Sequence, residues 1–270
     1  MFSKEAKFNR IVKNIKTIKI QGARNVAKAA LKAYELLPTE RSKKILLSSR
    51  PTEPMMQNVL ELASSGGKKY TEIIKHFDYA QKKINFAVFK IIKKNSVIFT
   101  HCHSTNVTSA LIFAHKHGKK FEVYNTETRP LYQGRRTAKE LKRAGIKITM
   151  FVDSALGIAL GKKQGTKKVS VVLIGADALL KDGIINKIGS GLVSRIAKEE
   201  KIPVYIVADS WKFTKEKLKI EQRNLNEIWD KAPKKIKLKN PAFEFVDKKY
   251  ISGIVTEKGL MKYSEFLKKI

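Results

Sequence analysis

Ser96-Val97-Ile98-Phe99-Thr100-His101-Cys102-His103-Ser104 is the stretch on which the fold turns. An apolar run of strand length gives way at once to polar, reactive side chains. The same change recurs four times. The run 121–125 leads into Thr126-Glu127-Thr128-Arg129-Pro130, 147–152 into Asp153-Ser154, 169–174 into Gly175-Ala176-Asp177, and 203–208 into Asp209-Ser210. Helical spacing of apolar residues over 105–117, 134–144, 154–161 and 187–200 fills the gaps. Strands alternating with helices predict a parallel sheet covered on both faces. In such a sheet the ligand crevice lies beyond the carboxyl ends of the strands. All five polar strand ends are therefore expected along one crevice.

The chain before this stretch reads as helical. Ile11, Ile15 and Ile18 form one stripe, and Val26, Ala29, Ala30, Ala33 and Leu37 another. Between them, Gln21-Gly22-Ala23-Arg24 is a turn opening a helix, where free amides can hold an anion. Pro51 and Pro54 break the chain after Arg50. A long amphipathic helix is expected over 70–94. After the fifth strand we expect a helix over 215–228, a charged connector over 234–239, a last strand over 250–256 and a helix over 264–270. The segment 164–168 reads as a basic surface loop. The fold class is thus α/β, with a small N-terminal helical domain (1–94) followed by a Rossmann-like parallel sheet domain (95–270) that carries the site.

With 270 residues, 43% of them hydrophobic, the chain can bury a substantial core. It contains no apolar run near the ~20 residues of a membrane helix. No signal-peptide layout opens it. A single cysteine rules out an internal disulfide framework and fits a reducing, cytoplasmic setting. The net charge of +32 admits a polyanionic partner such as nucleic acid, the ribosome or a phosphorylated metabolite. Lysine is spread along the whole chain, however, and aromatic residues are not interleaved with the basic runs as stacking platforms would be. A solvated lysine coat is the better reading.

Cys102 is the sharpest catalytic candidate, since a helix beginning just after it would favour thiolate. The alternative is a small buried hydrophobe. Asp177, behind Gly175 and Ala176, has small neighbours that would let a ligand approach, and a buried carboxyl group there could act as a general acid; otherwise it caps the next helix. Asn186 and Lys187, read as the start of a helix, make a candidate phosphate seat. Arg50, Arg129 and Gln133 are further candidates for holding anions. His101 and His103 beside a cysteine invite a zinc reading, but the spacing is wrong and no second cluster exists, so no metal is expected. Dinucleotide and Walker fingerprints are absent from the sequence.

Taken together, Thr100-His101-Cys102, Glu127-Thr128-Arg129-Pro130 with Gln133-Gly134, Gly175-Ala176-Asp177 and the run Gly183-Ile184-Ile185-Asn186-Lys187-Ile188-Gly189 resemble a known superfamily. It joins the alpha, beta and delta subunits of translation initiation factor 2B to two sugar-phosphate isomerases, acting on methylthioribose 1-phosphate and on ribose 1,5-bisphosphate. The resemblance extends from Gln21 to Gly259. It implies a Rossmann-like fold and an isomerase, with ribose 1,5-bisphosphate to ribulose 1,5-bisphosphate as the leading reaction. Asp177 would be the acid that opens the furanose ring, and Cys102 the group that moves a proton between the first two carbons. Gly22, Ala23, Arg50, Arg129, Gln133, Asn186 and Lys187 would hold phosphate and hydroxyl groups. The resemblance implies no cofactor, with AMP as a candidate effector, and a homodimer or homohexamer. Gln21 stands where the isomerases have arginine, and His103 where they commonly have asparagine. The other reading it supports is a noncatalytic regulatory subunit that binds a sugar phosphate or nucleotide and contacts a translation initiation factor or the ribosome.

Overall fold

Val97 and Phe99 pack to one side and Ile98 to the other, and all three are buried. The run is apolar without alternation because it forms a strand covered on both faces. The computed structural model describes residues 3–161 and 165–270. Its strands are β1 (Ser96–Thr100), β2 (Phe121–Thr126), β3 (Lys147–Phe151), β4 (Val169–Ile174), β5 (Ala178–Leu179), β6 (Gly183–Lys187), β7 (Val204–Val207), β8 (Phe243–Asp247), β9 (Gly253–Thr256) and β10 (Gly259–Met261). Among the described residues seven of them make the main sheet, in the order β10-β9-β7-β4-β1-β2-β3. Every pairing is parallel except the edge hairpin of β9 and β10. From β1 the chain moves outward through β2 and β3, then returns to place β4 on the other side of β1. Ile98 is consequently paired with Val123 on one side and Val171 on the other. This reversal of strand order opens a crevice between the carboxyl ends of β1 and β4.

The helices are α1 (Lys4–Lys16), α2 (Ala23–Leu36), α3 (Glu40–Ser49), α4 (Pro54–Ser64), α5 (Tyr70–Ile91), α6 (Thr105–Lys116), α7 (Gln133–Arg143), α8 (Leu156–Leu160), α9 (Ser190–Glu199) and α10 (Tyr263–Leu267). One face of the sheet packs on α5, α6 and α7 through Ile84, Val88, Val107, Leu111 and Leu141. The other packs on α8, α9 and α10 through Leu160, Val193 and Phe266. The first four helices share their own cluster around Phe8, Val26, Leu46 and Leu60. A further cluster of Ala27, Met55, Val59 and Phe77 reaches Trp211 beyond β7, joining those helices to the sheet. The Asn58 side-chain amide fastens the same junction, donating to the carbonyls of Trp211 at 2.7 Å and Phe213 at 3.0 Å.

The structure departs from expectation at three places. Residues 187–189 are not helical. Gly183–Lys187 is a strand in a small antiparallel sheet ordered β5-β6-β8, and α9 begins only at Ser190. Asn186 and Lys187 therefore lie on a strand end rather than at a helix N-terminus. No α-helix spans 215–228; that segment is extended, with one 3-10 turn at Leu225–Glu227 and a bridge pairing Gln222 with Pro241. The edge strand β10 was also not expected. Of the expected basic loop, Gly165 to Lys168 lies outside helices and strands, while Gln164 falls outside the described residues.

Candidate active site

Thr100 and Ile174 end neighbouring parallel strands, so the residues after them emerge side by side at the crevice. His101, Cys102 and His103 follow the first, and Gly175, Ala176 and Asp177 the second. All six line one cleft, roofed from the helical side by Gly22, Ala23, Arg50 and Glu53.

Cys102 sits in the left-handed backbone region, at φ 65°. Such a conformation costs a non-glycine residue about 1–3 kcal/mol and persists only where its surroundings enforce it. Here the Cys102 amide donates to the Thr128 hydroxyl at 3.0 Å, and its carbonyl accepts from the Thr137 hydroxyl at 2.9 Å. Thr128 is itself left-handed, its amide held by Asp153 at 2.9 Å. Burial pushes the Cys102 thiol up to about 11; the nearby Lys187 charge pulls it down, and Asp177 adds to the rise. The expected lowering by the following helix is thus outweighed by desolvation.

His101 is buried with both ring nitrogens occupied. The Ile188 carbonyl, 2.8 Å away, can only accept, so Nε2 carries the proton and Nδ1 accepts from Thr126 at 2.6 Å. Burial lowers its pKa, in keeping with a neutral ring. A Cβ on Gly189 would lie 2.8 Å from that ring. Thr137 spends its proton on the Cys102 carbonyl, so it accepts from His103 Nδ1 at 3.0 Å. Burial first, and Arg136 second, lower His103 to about 4.

Across the cleft, burial raises the pKa of Asp177 against the pull of Lys212, Lys187 and Arg50. Lys212 is buried and donates to the Ala176 carbonyl at 2.5 Å. Lys187 is buried with Nζ 4.3 Å from the centre of the Phe243 ring. The Asn186 amide donates to Ser190 at 2.8 Å. Gly175 serves packing rather than ligand approach, since a Cβ there would strike the Ser104 side chain at 2.6 Å. Six cationic side chains line the cleft (Arg24, Arg50, Arg136, Lys187, Lys212 and Arg223) against three carboxyl groups (Glu53, Asp177 and Glu221). A concave site so charged attracts phosphorylated ligands.

The helical wall supplies the rest. Gly22, at φ 84°, turns the chain so that α2 opens on the cleft without a side-chain cap. Arg50 gives Nη2 to Glu221 at 3.2 Å, leaving Nε and Nη1 buried and unpartnered. Gln133 lines the cleft with its Oε1 likewise unpartnered. Arg129 does not join them. Its amide is fixed on Asp153 at 2.6 Å, and its exposed guanidinium turns to the Tyr132 hydroxyl and the Glu227 carbonyl. The third and fifth strand ends also stay out of the cleft. Asp153 holds the amides of Thr128 and Arg129, while Asp209 takes the Trp211 amide at 2.9 Å and faces His76 at 3.2 Å.

Four charged cleft residues were not foreseen: Glu53, Lys212, Glu221 and Arg223. A lone acid between two prolines could have drawn notice to Glu53, and a lysine just past a strand end to Lys212. Nothing marks Glu221 or Arg223 within a run of alternating charges. Among the described residues no group of three or more His, Cys, Asp and Glu side chains could hold a metal ion. No helix among them is long and apolar enough to cross a membrane.

A model of the initiation factor 2 subunit family matches residues 18–263. The chain belongs to that family. Its relatives include ribose 1,5-bisphosphate isomerase of Methanocaldococcus jannaschii, 34% identical, over 92% of this chain and 89% of that protein. The same enzyme of Archaeoglobus fulgidus is 32% identical over 91% and 86%. Among solved structures, translation initiation factor eIF-2B of Pyrococcus horikoshii OT3 superposes with a TM-score of 0.82 at 24% identity, covering 94% of this chain and 96% of that one. The 5-methylthioribose 1-phosphate isomerase of the same organism gives 0.77 at 22%, covering 98% and 87%. At these identities the two structures bear on the fold alone. The fold of this chain is thus similar to that of both structures.

Proposed function

We propose that the chain is a sugar-phosphate isomerase converting ribose 1,5-bisphosphate to ribulose 1,5-bisphosphate. The observation that carries this reading is that Cys102 and Asp177 follow adjacent parallel strands and line one cationic cleft. The relatives named above, more than 30% identical over nine-tenths of the chain, support it.

Asp177, whose hold on its proton is strengthened by burial, gives that proton to the ring oxygen as the C1–O4 bond breaks. Cys102, after giving its thiol proton to solvent, removes the C2 proton as the thiolate, and the electron pair forms the C1–C2 double bond. The proton then returns from sulfur to C1 while the C2 hydroxyl loses its own to the Asp177 carboxylate, leaving a ketone and both side chains restored. Lys187, whose charge acts on both groups, favours the thiolate and, once Asp177 has given up its proton, the carboxylate as well. Arg50, the α2 amides behind Gly22 and Ala23, Gln133, Asn186 and Lys187 hold the phosphates and hydroxyls.

The test is to incubate the protein with ribose 1,5-bisphosphate, with and without AMP, and to follow ribulose 1,5-bisphosphate. Methylthioribose 1-phosphate is run alongside. Turnover abolished by Cys102→Ser and kept by His103→Asn supports the enzyme. One observation favours a binding-only subunit instead: the thiol is held uncharged, at about 11, in the free cleft. Binding without turnover of either sugar phosphate would decide for that reading.

A further inference from the structure

Glu53 has no part in the steps above, yet its placement calls for a ligand. It occupies the break between α3 and α4, 4% exposed, with Oε1 buried and without a hydrogen-bond partner. It does not cap α4, whose first amides receive nothing from its side chain. Three residues earlier, Arg50 leaves Nε and Nη1 in the same state, and both side chains line the cleft. Buried polar atoms are rarely left unpaired, and two such side chains lining one concave wall mark where a ligand completes the set.

Resting on the isomerase reading, we propose that Glu53 contacts the substrate, its carboxyl group hydrogen-bonding a ring hydroxyl of the sugar beside the phosphate held by Arg50. A hydroxyl both donates and accepts, and so does a protonated carboxyl group. Glu53 has the surroundings for that state. Burial is the main cause that raises it to about 8, and the facing Asp177 adds to the rise, with a smaller push from Glu221; Arg50 and Lys212 pull the other way. Ionised, Glu53 would repel the phosphates that the six cations attract. Neutral, it suits the uncharged middle of a bisphosphate, between the two charged ends.

Calorimetry on the Cys102→Ser protein, which binds without turning over, tests this directly. Titration with ribose 1,5-bisphosphate should show Glu53→Ala weakening binding by about tenfold or more. Inorganic phosphate should bind the two proteins within about twofold of each other, because Arg50 is untouched. Glu53→Gln, whose amide also donates and accepts, should keep most of the sugar-phosphate affinity at pH 7. It should also remove the decline in affinity that the parent shows as pH rises through about 8. Equal losses for both ligands would mean a structural role and overturn the proposal, as would no loss for either. If Glu53→Ala does not fold, the pH profile of Glu53→Gln decides: a decline as steep as the parent's overturns it. Binding that depends on Glu53, together with no turnover by the protein that keeps Cys102, would sink the isomerase and leave this contact standing. No binding of ribose 1,5-bisphosphate by the parent would sink both.

Discussion

On the sheet side of the cleft, His101 has both ring nitrogens satisfied and Cys102 has both backbone groups held. On the helical side, Arg50 keeps two guanidinium nitrogens free and Glu53 a carboxyl oxygen, all buried. Both walls face the same cavity. On the first, among the described cleft residues, only Gln133 keeps a buried atom without a partner, its Oε1; on the second, Arg50 and Glu53 await the ligand. The contrast separates two tasks. In the proposed reaction, the turn that carries the thiol is held by the protein's own backbone hydrogen bonds, which is the preorganisation that acid–base chemistry needs. Atoms that grip are left open, so that binding energy is drawn from the pairs they form on occupancy.

If that division is right, changes on the sheet side should reach turnover and changes on the helical side should reach affinity. The largest effect is expected for Asp177→Asn and Cys102→Ser, each lowering kcat by about 10²–10⁴-fold with KM little changed, measured on ribose 1,5-bisphosphate. Next, Gly189→Ala would force a methyl group against the His101 ring and hold a side chain at φ 101°, for a loss of about 2–4 kcal/mol in denaturant unfolding. Arg50→Ala should raise KM about 10–100-fold with a smaller change in kcat, which would blur the comparison if kcat fell instead.

A pH series follows. Glu53 is raised in the folded chain from 4.5 to about 8, so the native state holds the proton more tightly than the unfolded one. Its contribution to stability is complete below about 4.5 and is lost as pH rises through about 8. Wild type should therefore lose on the order of 5 kcal/mol across that window, and Glu53→Gln should lose less. The smallest effect is expected for Thr137→Val, which strips the hydroxyl from the Cys102 carbonyl and costs about 1–2 kcal/mol. Unlike Arg50→Ala, it should act on kcat, because it loosens the strained turn that aims the thiol.

Much of the sheet wall is legible in the sequence because parallel strands covered on both sides must be apolar throughout. A sudden change to His101-Cys102-His103 or to Asp177 then stands out. The register of β1 with β4 explains why those two ends meet, while the ends carrying Asp153 and Asp209 turn to local backbone instead. The small sheet escaped notice because β5 has only two residues, too few for a pattern to show. Asn186-Lys187 before a glycine resembles a helix start until β8 is known to pair with it. In 215–228, helix-favouring residues are overridden by the pairing of Gln222 with Pro241 and by the Glu221 and Arg223 ion pairs. The helical wall is harder still to read. Arg50 and Glu53 follow no period, and only the folded cleft reveals that their atoms lack partners.

Asn58 gives the two walls a common fate. Its amide clasps the backbone on either side of Lys212, the lysine that in turn holds the carbonyl just ahead of Asp177. Any tilt of α4 transmitted from a ligand at its first turn is thus passed, through three hydrogen bonds, to the loop bearing the acid. Helical grip and sheet-side acid thus hang on one short run of three hydrogen bonds.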